Sequence, residues 1–391
     1  MKKILKLALS AACVMGMAAC QGGGTDVKSD KEEALERAAA PYVNNTVVAT
    51  YRAMADAGVT LLGQCEQILA AQEASQDYAA LIKDADASWR LMRKHWEQSE
   101  AFLYGPAAAH NIDPHIDSWP LDFNAMNALL HDDARMAQIE EEEGGAYVGE
   151  KLGYALKGFH ACEYLLFESE IKDGRAVGTG KPHAANLTHA EAVYLLGIVE
   201  DLTQQAILLE YCWAGEVSEA KMKILEDGEV DTFEDKYGWQ MINAGKPGST
   251  YVTFQEVAEE IIAGCADIAG EVADLKMGNP YISSTETERD YIESPYSCTS
   301  TTDFADNIRS IQHSYEGAQA GDYSVSNYVY RQDAELDAKV HKAIADAIAA
   351  IESIEDFENT AKGNPQVKEA IDRVSALEEI LSDEVLPLLS K

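Results

Sequence analysis

Apolar residues recur along most of this chain at the three- and four-residue spacing of one face of an α-helix. In the first part of the sequence this pattern predicts helices over about 43–69, 78–103, 152–166 and 189–213, with a shorter one from about 123. In the second part it predicts helices over about 254–276, 303–315, 328–357 and 366–389. Four amphipathic helices in each half are what a pair of four-helix bundles requires. The expected fold class is therefore all-α, with two four-helix-bundle domains.

The helical pattern weakens over residues 212–249, where glycines and aromatic residues alternate. Such punctuation is typical of turns, so we expect the domain junction here, as an irregular segment or a short hairpin. The predicted domains are residues 31–240 and 241–391. Gly63-Gln64-Cys65 and Gly264-Cys265 occupy the first long helix of each half, which favours an internal duplication.

The first residues have the layout of a secretion signal. A basic start is followed by an apolar run over 7–17 that is too short to span a bilayer, and Met17-Ala18-Ala19-Cys20 resembles a bacterial lipobox. The sequence therefore predicts a signal peptide over 1–19, a lipidated Cys20 and a flexible tether over 20–30. The alternative is an ordinary signal that contains a cysteine by chance. Gln21 after the cysteine favours an outer-membrane lipoprotein, periplasmic or surface-facing.

The chain has 391 residues, with 31 Lys and Arg against 67 Asp and Glu, for a formal charge of −36. This acidity argues against a nucleic-acid partner and is compatible with attraction of cations. No later run looks long and apolar enough to span a membrane, so a lipid anchor is the only membrane contact expected. Five cysteines remain after Cys13 and Cys20, and buried free thiols are favoured over disulfides, of which at most two could form.

His160 and Glu163 form the most informative pair in the sequence. A His and a Glu three apart share one face of a helix, so both can bind one ion. At about 100° per residue, Glu163 lies roughly 20° from Leu152 and Leu156, inside the apolar stripe of the predicted helix. A buried carboxylate is costly unless it is paired, protonated or bound to a metal. The structural alternative is a hydrogen bond to His160 or to an arginine of a neighbouring helix.

A second His-x-x-Glu pair, His313 and Glu316, lies across its helix from the apolar stripe and is expected on a solvated face. Two other segments could supply partners for the first pair. Glu100 falls at the margin of an apolar face, with a surface position as the alternative. In the proline-rich loop 113–122, Asp117 and Asp122 are candidate ligands, although Asp122 could simply cap the next helix.

These segments together resemble the imelysin-like family. Gly158-x-His160-x-x-Glu163 matches the family's G-x-H-x-x-E signature, and Ser118-Trp119-Pro120-Leu121-Asp122 is similar to its W-P-L-D segment. Gly158 and Trp119 thus support the motif. Other stretches resemble family segments in the same order, over residues 99–106, 293–297 and 303–308.

The resemblance implies a two-domain helical protein that is exported, often as a lipoprotein, and tied to bacterial iron uptake. By this resemblance, His160 and Glu163 correspond to the metal-site pair of the family, and Glu100, Asp117 and Asp122 are further candidate ligands. Iron is the expected metal and zinc is possible. An iron-transport or outer-membrane protein would be the partner.

Two alternatives stay open. The family is also classed with zinc peptidases, but H-E-x-x-H is absent and no separate general base can be identified. The chain could instead be a non-enzymatic module for a protein or haem-like ligand.

Overall fold

The computed structural model describes residues 29–141, 144–172, 175–284 and 291–391. The predicted signal peptide, Cys20 and most of the tether lie outside the described residues. Helices dominate what is described. In the first half they are α1 (Asp30–Pro41), α2 (Val48–Glu73), α3 (Ala79–Glu97), α4 (Pro106–Ala109), α5 (Ile112–Asp117), α6 (Phe123–Leu130), α7 (Asp133–Glu141), α8 (Gly144–Lys151), α9 (Gly158–Leu166), α10 (His189–Ala214), α11 (Glu219–Asp227) and α12 (Tyr237–Ile242).

In the second half the helices are α13 (Phe254–Glu271), α14 (Gly278–Ile282), α15 (Ser300–Glu316), α16 (Val325–Gln332), α17 (Ala334–Glu352), α18 (Phe357–Thr360), α19 (Pro365–Ile380) and α20 (Leu386–Leu389). Single π-helical turns join some of these elements, at Tyr42–Val47, Val272–Met277 and Leu381–Val385. The all-α class predicted from the spacing is confirmed.

The packing of the long helices follows their apolar faces. In the second half, α13, α15, α17 and α19 pack in a closed ring, each against two of the others. In the first half, α2 lies between α3 and α10. The buried apolar residues form one cluster that runs through both halves. The division into domains at residue 240 stays a prediction.

Local sequence explains where the core helix α10 begins and ends. The hydroxyl of Thr188 accepts a hydrogen bond from the backbone N–H of Glu191, and the Glu191 carboxylate accepts one from the backbone N–H of Thr188. These two N–H groups at the start of the helix have no partner within it, and the reciprocal contacts supply one for each. Gly215, in the left-handed region at φ 81°, ends the helix. By length and composition α10 could cross a membrane, contrary to the sequence expectation, but 89% of its most apolar stretch is buried. These are the features of a core helix.

The helix predicted over 152–166 is wrong in its first half. Residues Tyr154–Leu156 form a 3-10 turn, Lys157 is extended at φ −148° and ψ −173°, and α9 begins only at Gly158. The positive φ of Gly158, 74°, breaks the periodic pattern. The helix predicted over 328–357 is similarly divided at Asp333, whose carboxylate caps α17.

The strands also lie elsewhere than predicted. Residues 212–249 form the end of α10, then α11, α12 and turns, whereas an antiparallel hairpin, β1 (Phe167–Lys172) and β2 (Arg175–Pro182), follows α9 directly. Gly178 and Gly180 of β2 donate backbone hydrogen bonds to the carbonyls of Pro295 and Tyr296 at 3.1 Å each. A Cβ on Gly178 would lie 2.2 Å from Cα of Tyr296, so only glycine permits this approach. The hairpin thereby fixes loop 295–297 of the second half.

Candidate metal centre

Gly158 positions α9 against α5. A Cβ on this residue would lie 2.3 Å from the carbonyl oxygen of Ile116 and 2.8 Å from that of His115. Only glycine allows this contact, and its positive φ is one that other residues rarely adopt. The glycine of the motif therefore brings His160 and Glu163 to the end of α5, where Asp117 lies.

Glu163 is fully buried, at 0% exposure, as the sequence predicted. Its Oε1 accepts hydrogen bonds from the backbone N–H groups of Tyr296 (3.1 Å) and Ser297 (2.7 Å) and from the Ser297 hydroxyl (2.6 Å). The hairpin holds this loop in place, and Arg90 reinforces it by donating to the Ser297 carbonyl at 3.3 Å. The carboxylate of the first half is thus met by backbone donors of the second half.

His160 lies between two carboxylates. Its Nδ1 is 3.4 Å from Oε2 of Glu163, and its Nε2 is 3.0 Å from Oδ1 of Asp117, although the N–H does not point at that oxygen. The ring packs 4.5 Å from the Trp119 ring. Burial alone would lower the pKa of His160, but Asp117 and Glu163 outweigh it and raise that pKa to about 9. The imidazole is therefore held as a cation in the protein as described.

Arg93 of α3 lies at the centre of the site, with 1% of its side chain exposed. Its guanidinium pairs with Asp117, with Glu97 at 2.6 Å, with Glu293 at 2.9 Å and with Asp303 at 3.5 Å. Burial lowers the pKa of Arg93, but the carboxylates, Asp117 foremost, raise it well above its ordinary value. This arginine stays charged and draws acids from both halves of the chain together.

Lys276 is the second buried cation. Its Nζ lies 2.9 Å from Glu293, 3.5 Å from Glu100 and 3.7 Å from Glu97. Lys276 lies in the π-helical turn that follows α13, so the second half supplies a positively charged side chain as well as carboxylates. Lys276 and Arg93 share Oε1 of Glu293, which links the two cations.

Carboxylates outnumber cations at this site. Six buried carboxylates, which we call the acidic cluster, belong to Glu97, Glu100, Asp117, Glu163, Glu293 and Asp303. Arg93, Lys276 and protonated His160 bring three positive charges against six negative ones, which leaves three negative charges if every acid is ionised. A buried surplus of this size must be neutralised by protons or by a bound cation.

The pKa values divide the cluster. Burial raises the pKa of Glu97 to about 8 and that of Asp303 to about 7, against the lowering effect of Arg93. Burial also raises the pKa of Glu100 well above its usual range. Asp117 behaves oppositely, because Arg93 and His160 outweigh burial and hold its pKa well below its usual range. Protons therefore collect on Glu97, Glu100 and Asp303, while Asp117 stays ionised.

The ligand geometry favours three of these acids. Glu97, Asp117 and Glu293 each offer an oxygen, and the three oxygens lie within 4.8 Å of one another. Oε2 of Glu293 is buried and accepts no hydrogen bond within the described part of the chain, whereas Oε1 of Glu97 has Arg93 as its ion-pair partner at 2.6 Å. With Nε2 of His160 beside Asp117, this set offers oxygen atoms and one imidazole, which must lose a proton before it can bind a metal ion. Such donors suit iron and other hard or borderline cations.

The sequence candidates fall into two groups. His160, Glu163 and Asp117 lie together, and Glu100 lies at the edge of the cluster beside Lys276. Asp122 lies apart from them: it is exposed, and its Oδ1 accepts from the Ala125 backbone at 2.9 Å as the N-cap of α6. The structure therefore assigns Asp122 the capping role.

Sequence reasoning missed Arg93, Glu97, Lys276, Glu293 and Asp303. Glu293 and Asp303 do stand in segments that resemble the family, so that likeness could have nominated them. Arg93 and Glu97 stand four apart on one helix face, which signals an ion pair but not its depth. Nothing in the spacing singles out Lys276.

The other histidines and the cysteines also have defined surroundings. Glu316 pairs with His341 at 2.7 Å rather than with His313. His110 and His189 pair with Asp235 and Glu140. Cysteines 65, 162, 212 and 265 are buried free thiols, as expected, and Cys298 is an exposed one.

Comparison with known proteins supports the family resemblance seen in the sequence. The family model described as Imelysin matches residues 47–383. "Iron-regulated protein A" of Synechococcus elongatus is 27% identical over 355 residues, which is 89% of this chain and 85% of that protein.

Two solved structures share the fold. An iron-regulated protein A precursor from Parabacteroides distasonis has a TM-score of 0.74 at 22% identity, over 94% of this chain and 97% of that one. An imelysin-like protein from Psychrobacter arcticum has a TM-score of 0.59 at 13% identity, over 93% and 98% of the two chains.

Proposed function

Because this chain belongs to the imelysin family, we propose that it binds a metal ion, with iron as the expected cargo, and that it acts in bacterial iron uptake as an exported lipoprotein. The observation that carries the proposal is the acidic cluster, whose six carboxylates exceed the three buried cations beside them. The name of the Synechococcus relative, an iron-regulated protein, supports iron as the metal.

The proposed ligands are Glu97, Asp117 and Glu293, with the His160 imidazole beside them. Their oxygens lie within 4.8 Å of one another, a separation that small side-chain movements could close around one ion. A cation there would replace the protons that burial places on Glu97. Glu163 would act indirectly, since its three donors from loop 295–297 fix its position and it lies against Nδ1 of His160.

In this proposal, Arg93 competes with the metal ion for the carboxylate oxygens. Its guanidinium contacts the same three carboxylates and cannot lose its proton. An incoming ion must therefore share these oxygens with Arg93 or displace it. Release of the metal would return the oxygens to Arg93, which suits a protein that hands its cargo on.

A peptidase receives less support from the geometry. A zinc peptidase needs a general base that can reach a metal-bound water. Glu163 is the acid of the motif, yet its Oε1 accepts three hydrogen bonds and its Oε2 faces His160. A carboxylate held in this way is better suited to positioning the imidazole than to taking a proton from water.

Equilibrium dialysis of the mature chain against Fe²⁺, Fe³⁺ and Zn²⁺ tests the proposal. We expect one tightly bound iron ion per chain, and a His160→Ala/Glu163→Ala double variant should lose at least about tenfold in its affinity for iron, the size typical of altered metal-site surroundings. A His341→Ala/Glu316→Ala variant removes the same residue types from a pair outside the cluster and should bind normally. Equal binding by all three proteins would defeat the assigned site.

The export part of the proposal rests on residues 1–20, which lie outside the described residues. A basic start, an apolar run and the lipobox-like Met17–Cys20 together support lipidation at Cys20. A diacylglyceryl anchor would hold the protein at the outer membrane without any spanning segment. Cargo could then pass to an iron-transport or outer-membrane partner.

A further inference from the structure

Three donor groups of different chemistry converge away from the acidic cluster. They are the imidazole of His110, the thiol of Cys212 and the carboxylate of Asp235, and each offers an atom within 4.8 Å of the other two. We propose that they form a second metal site, for a borderline divalent ion such as Zn²⁺. This site is separate in residues and in chemistry from the proposed iron site, and neither proposal depends on the other.

The three residues come from three separate segments. Cys212 lies in the last turns of α10, His110 directly follows α4, and Asp235 precedes α12. Their convergence is a product of tertiary packing, and local sequence spacing cannot produce it. Cys212 is fully buried, while the side chains of His110 and Asp235 are 18% and 28% exposed. The site is therefore closed on the side of the core and open to solvent on the other.

Neighbouring groups fix the ligands. The His110 ring stacks on the Phe233 ring at 3.5 Å with an interplanar angle of 4°. The backbone carbonyl of Asp235 accepts from Nε2 of Gln240 at 2.8 Å. The stacking sets the plane of the imidazole, and the second contact anchors the backbone that carries the carboxylate. Supporting contacts of this kind orient metal ligands before the ion binds.

The donor set matches zinc better than iron. Zinc sites combine cysteine, histidine and carboxylate ligands, and sites with three protein ligands keep a fourth position for water. Bonds of about 2.0–2.3 Å in a tetrahedron place donor atoms roughly 3.3–3.8 Å apart. The three donor atoms lie within 4.8 Å of one another, so a modest adjustment of the side chains would bring them to that separation. The solvent-facing side provides room for the water ligand.

The ion would replace an existing contact. Nε2 of His110 lies 2.6 Å from Oδ2 of Asp235, so a shared proton joins them in the protein as described. Binding would substitute the metal for that proton and release the thiol proton of Cys212, because a coordinating thiol is deprotonated. The thiol proton passes to solvent, and the imidazole binds the ion through a nitrogen that carries no proton.

Titration with Co²⁺ as the probe tests this site, because a cobalt–thiolate bond gives a charge-transfer absorption that oxygen ligands do not. The titration uses the mature chain in a His160→Ala/Glu163→Ala background, which weakens the proposed iron site and leaves it only oxygen ligands. We expect the absorption, and we expect Zn²⁺ to abolish it by displacement. Cys298→Ser, which removes the exposed thiol, should leave the absorption unchanged.

Cys212→Ser should eliminate the absorption and weaken Zn²⁺ binding by on the order of 100-fold. If circular dichroism shows that Cys212→Ser does not fold, His110→Ala and Asp235→Asn provide the test. Both variants keep the thiol and should weaken Zn²⁺ binding at least about tenfold. An absorption that is absent from the parent, or that persists in Cys212→Ser, overturns the proposal. So does unchanged affinity in both His110→Ala and Asp235→Asn.

Discussion

Oδ1 of Asp117 lies 3.0 Å from Nε2 of His160, although the two residues belong to different helices, α5 and α9. The other oxygen of Asp117, Oδ2, accepts a hydrogen bond from Nε1 of Trp96 at 2.8 Å, so the carboxylate is fixed on both sides. The approach depends on Gly158, where the two helices meet. The motif's histidine thus obtains its partner from α5, which lies outside the motif.

Replacing Gly158 with alanine should separate α9 from α5. A positive φ costs a residue with a Cβ about 1–2 kcal/mol, and the clash with the Ile116 carbonyl adds to this. We expect a clear loss in the free energy of unfolding by urea, together with weaker metal binding. Gly153→Ala is the matched control, because its φ of −67° is ordinary and a Cβ there meets nothing within 4 Å. Equal stability of the two variants would contradict this account of the glycine.

Removing the charge of Arg93 should be costly in the absence of metal. Arg93→Met leaves buried carboxylates unpaired, and breaking such pairs typically costs about 3–5 kcal/mol. The control is Arg373→Met, whose solvent-screened ion pair with Glu369 should contribute little to stability.

Metal should then restore stability to Arg93→Met more than it raises that of the wild type, because the competitor for the ligands is gone. Thermal unfolding with chelator and with Fe²⁺ measures both effects. A variant that is as stable as the wild type in chelator would show that Arg93 does not hold the cluster together.

Asp113→Asn should change how stability depends on pH. Burial, and after it the neighbouring Asp117, raises the pKa of Asp113 to about 6. In the unfolded chain this pKa is about 3.9, so the contribution of Asp113 is fully present below about pH 4 and is lost as the pH rises to about 6. Asparagine removes that loss and should stabilise the protein by about 1–2 kcal/mol at pH 7, with little effect at pH 4.

Urea unfolding across this pH range provides the measurement. Asp122→Asn serves as the comparison, because that exposed residue caps α6 and asparagine caps equally well. If Asp113→Asn and the wild type show parallel curves from pH 4 to 7, the burial cost assigned to Asp113 is absent.

Cys20→Ser should release the protein from the membrane. The proposed lipidation requires the Cys20 thiol, and so acidic a chain should have little other affinity for an anionic surface. We expect loss of palmitate labelling and a shift from the membrane to the soluble fraction. Cys13→Ser, within the predicted signal peptide, should keep both. Continued membrane association of unlabelled Cys20→Ser would point to a different anchor.

Glu163 illustrates how far sequence reasoning reaches. Its burial was predicted from a helix over 152–166, and it is buried, although the helix starts only at Gly158. The prediction succeeded because residues within α9 keep the helical spacing, with Phe159, Cys162 and Leu166 on the core side. It missed the break because periodicity does not register a single glycine with a positive φ.

The sequence by itself determined that this protein is helical, that a His and a Glu share a helix face, and that a family likeness links it to imelysins. These follow from spacing and local residue preference, which act over a few residues. Only the tertiary structure decided which groups contact that pair, Asp117 from α5 and Ser297 from the second half. It also decided which groups extend the cluster beyond the pair: Arg93 and Glu97 from α3, and Lys276 and Glu293 from the second half. Contacts between distant segments depend on how whole helices pack, and one residue such as Gly158 can set that packing by the space it leaves open.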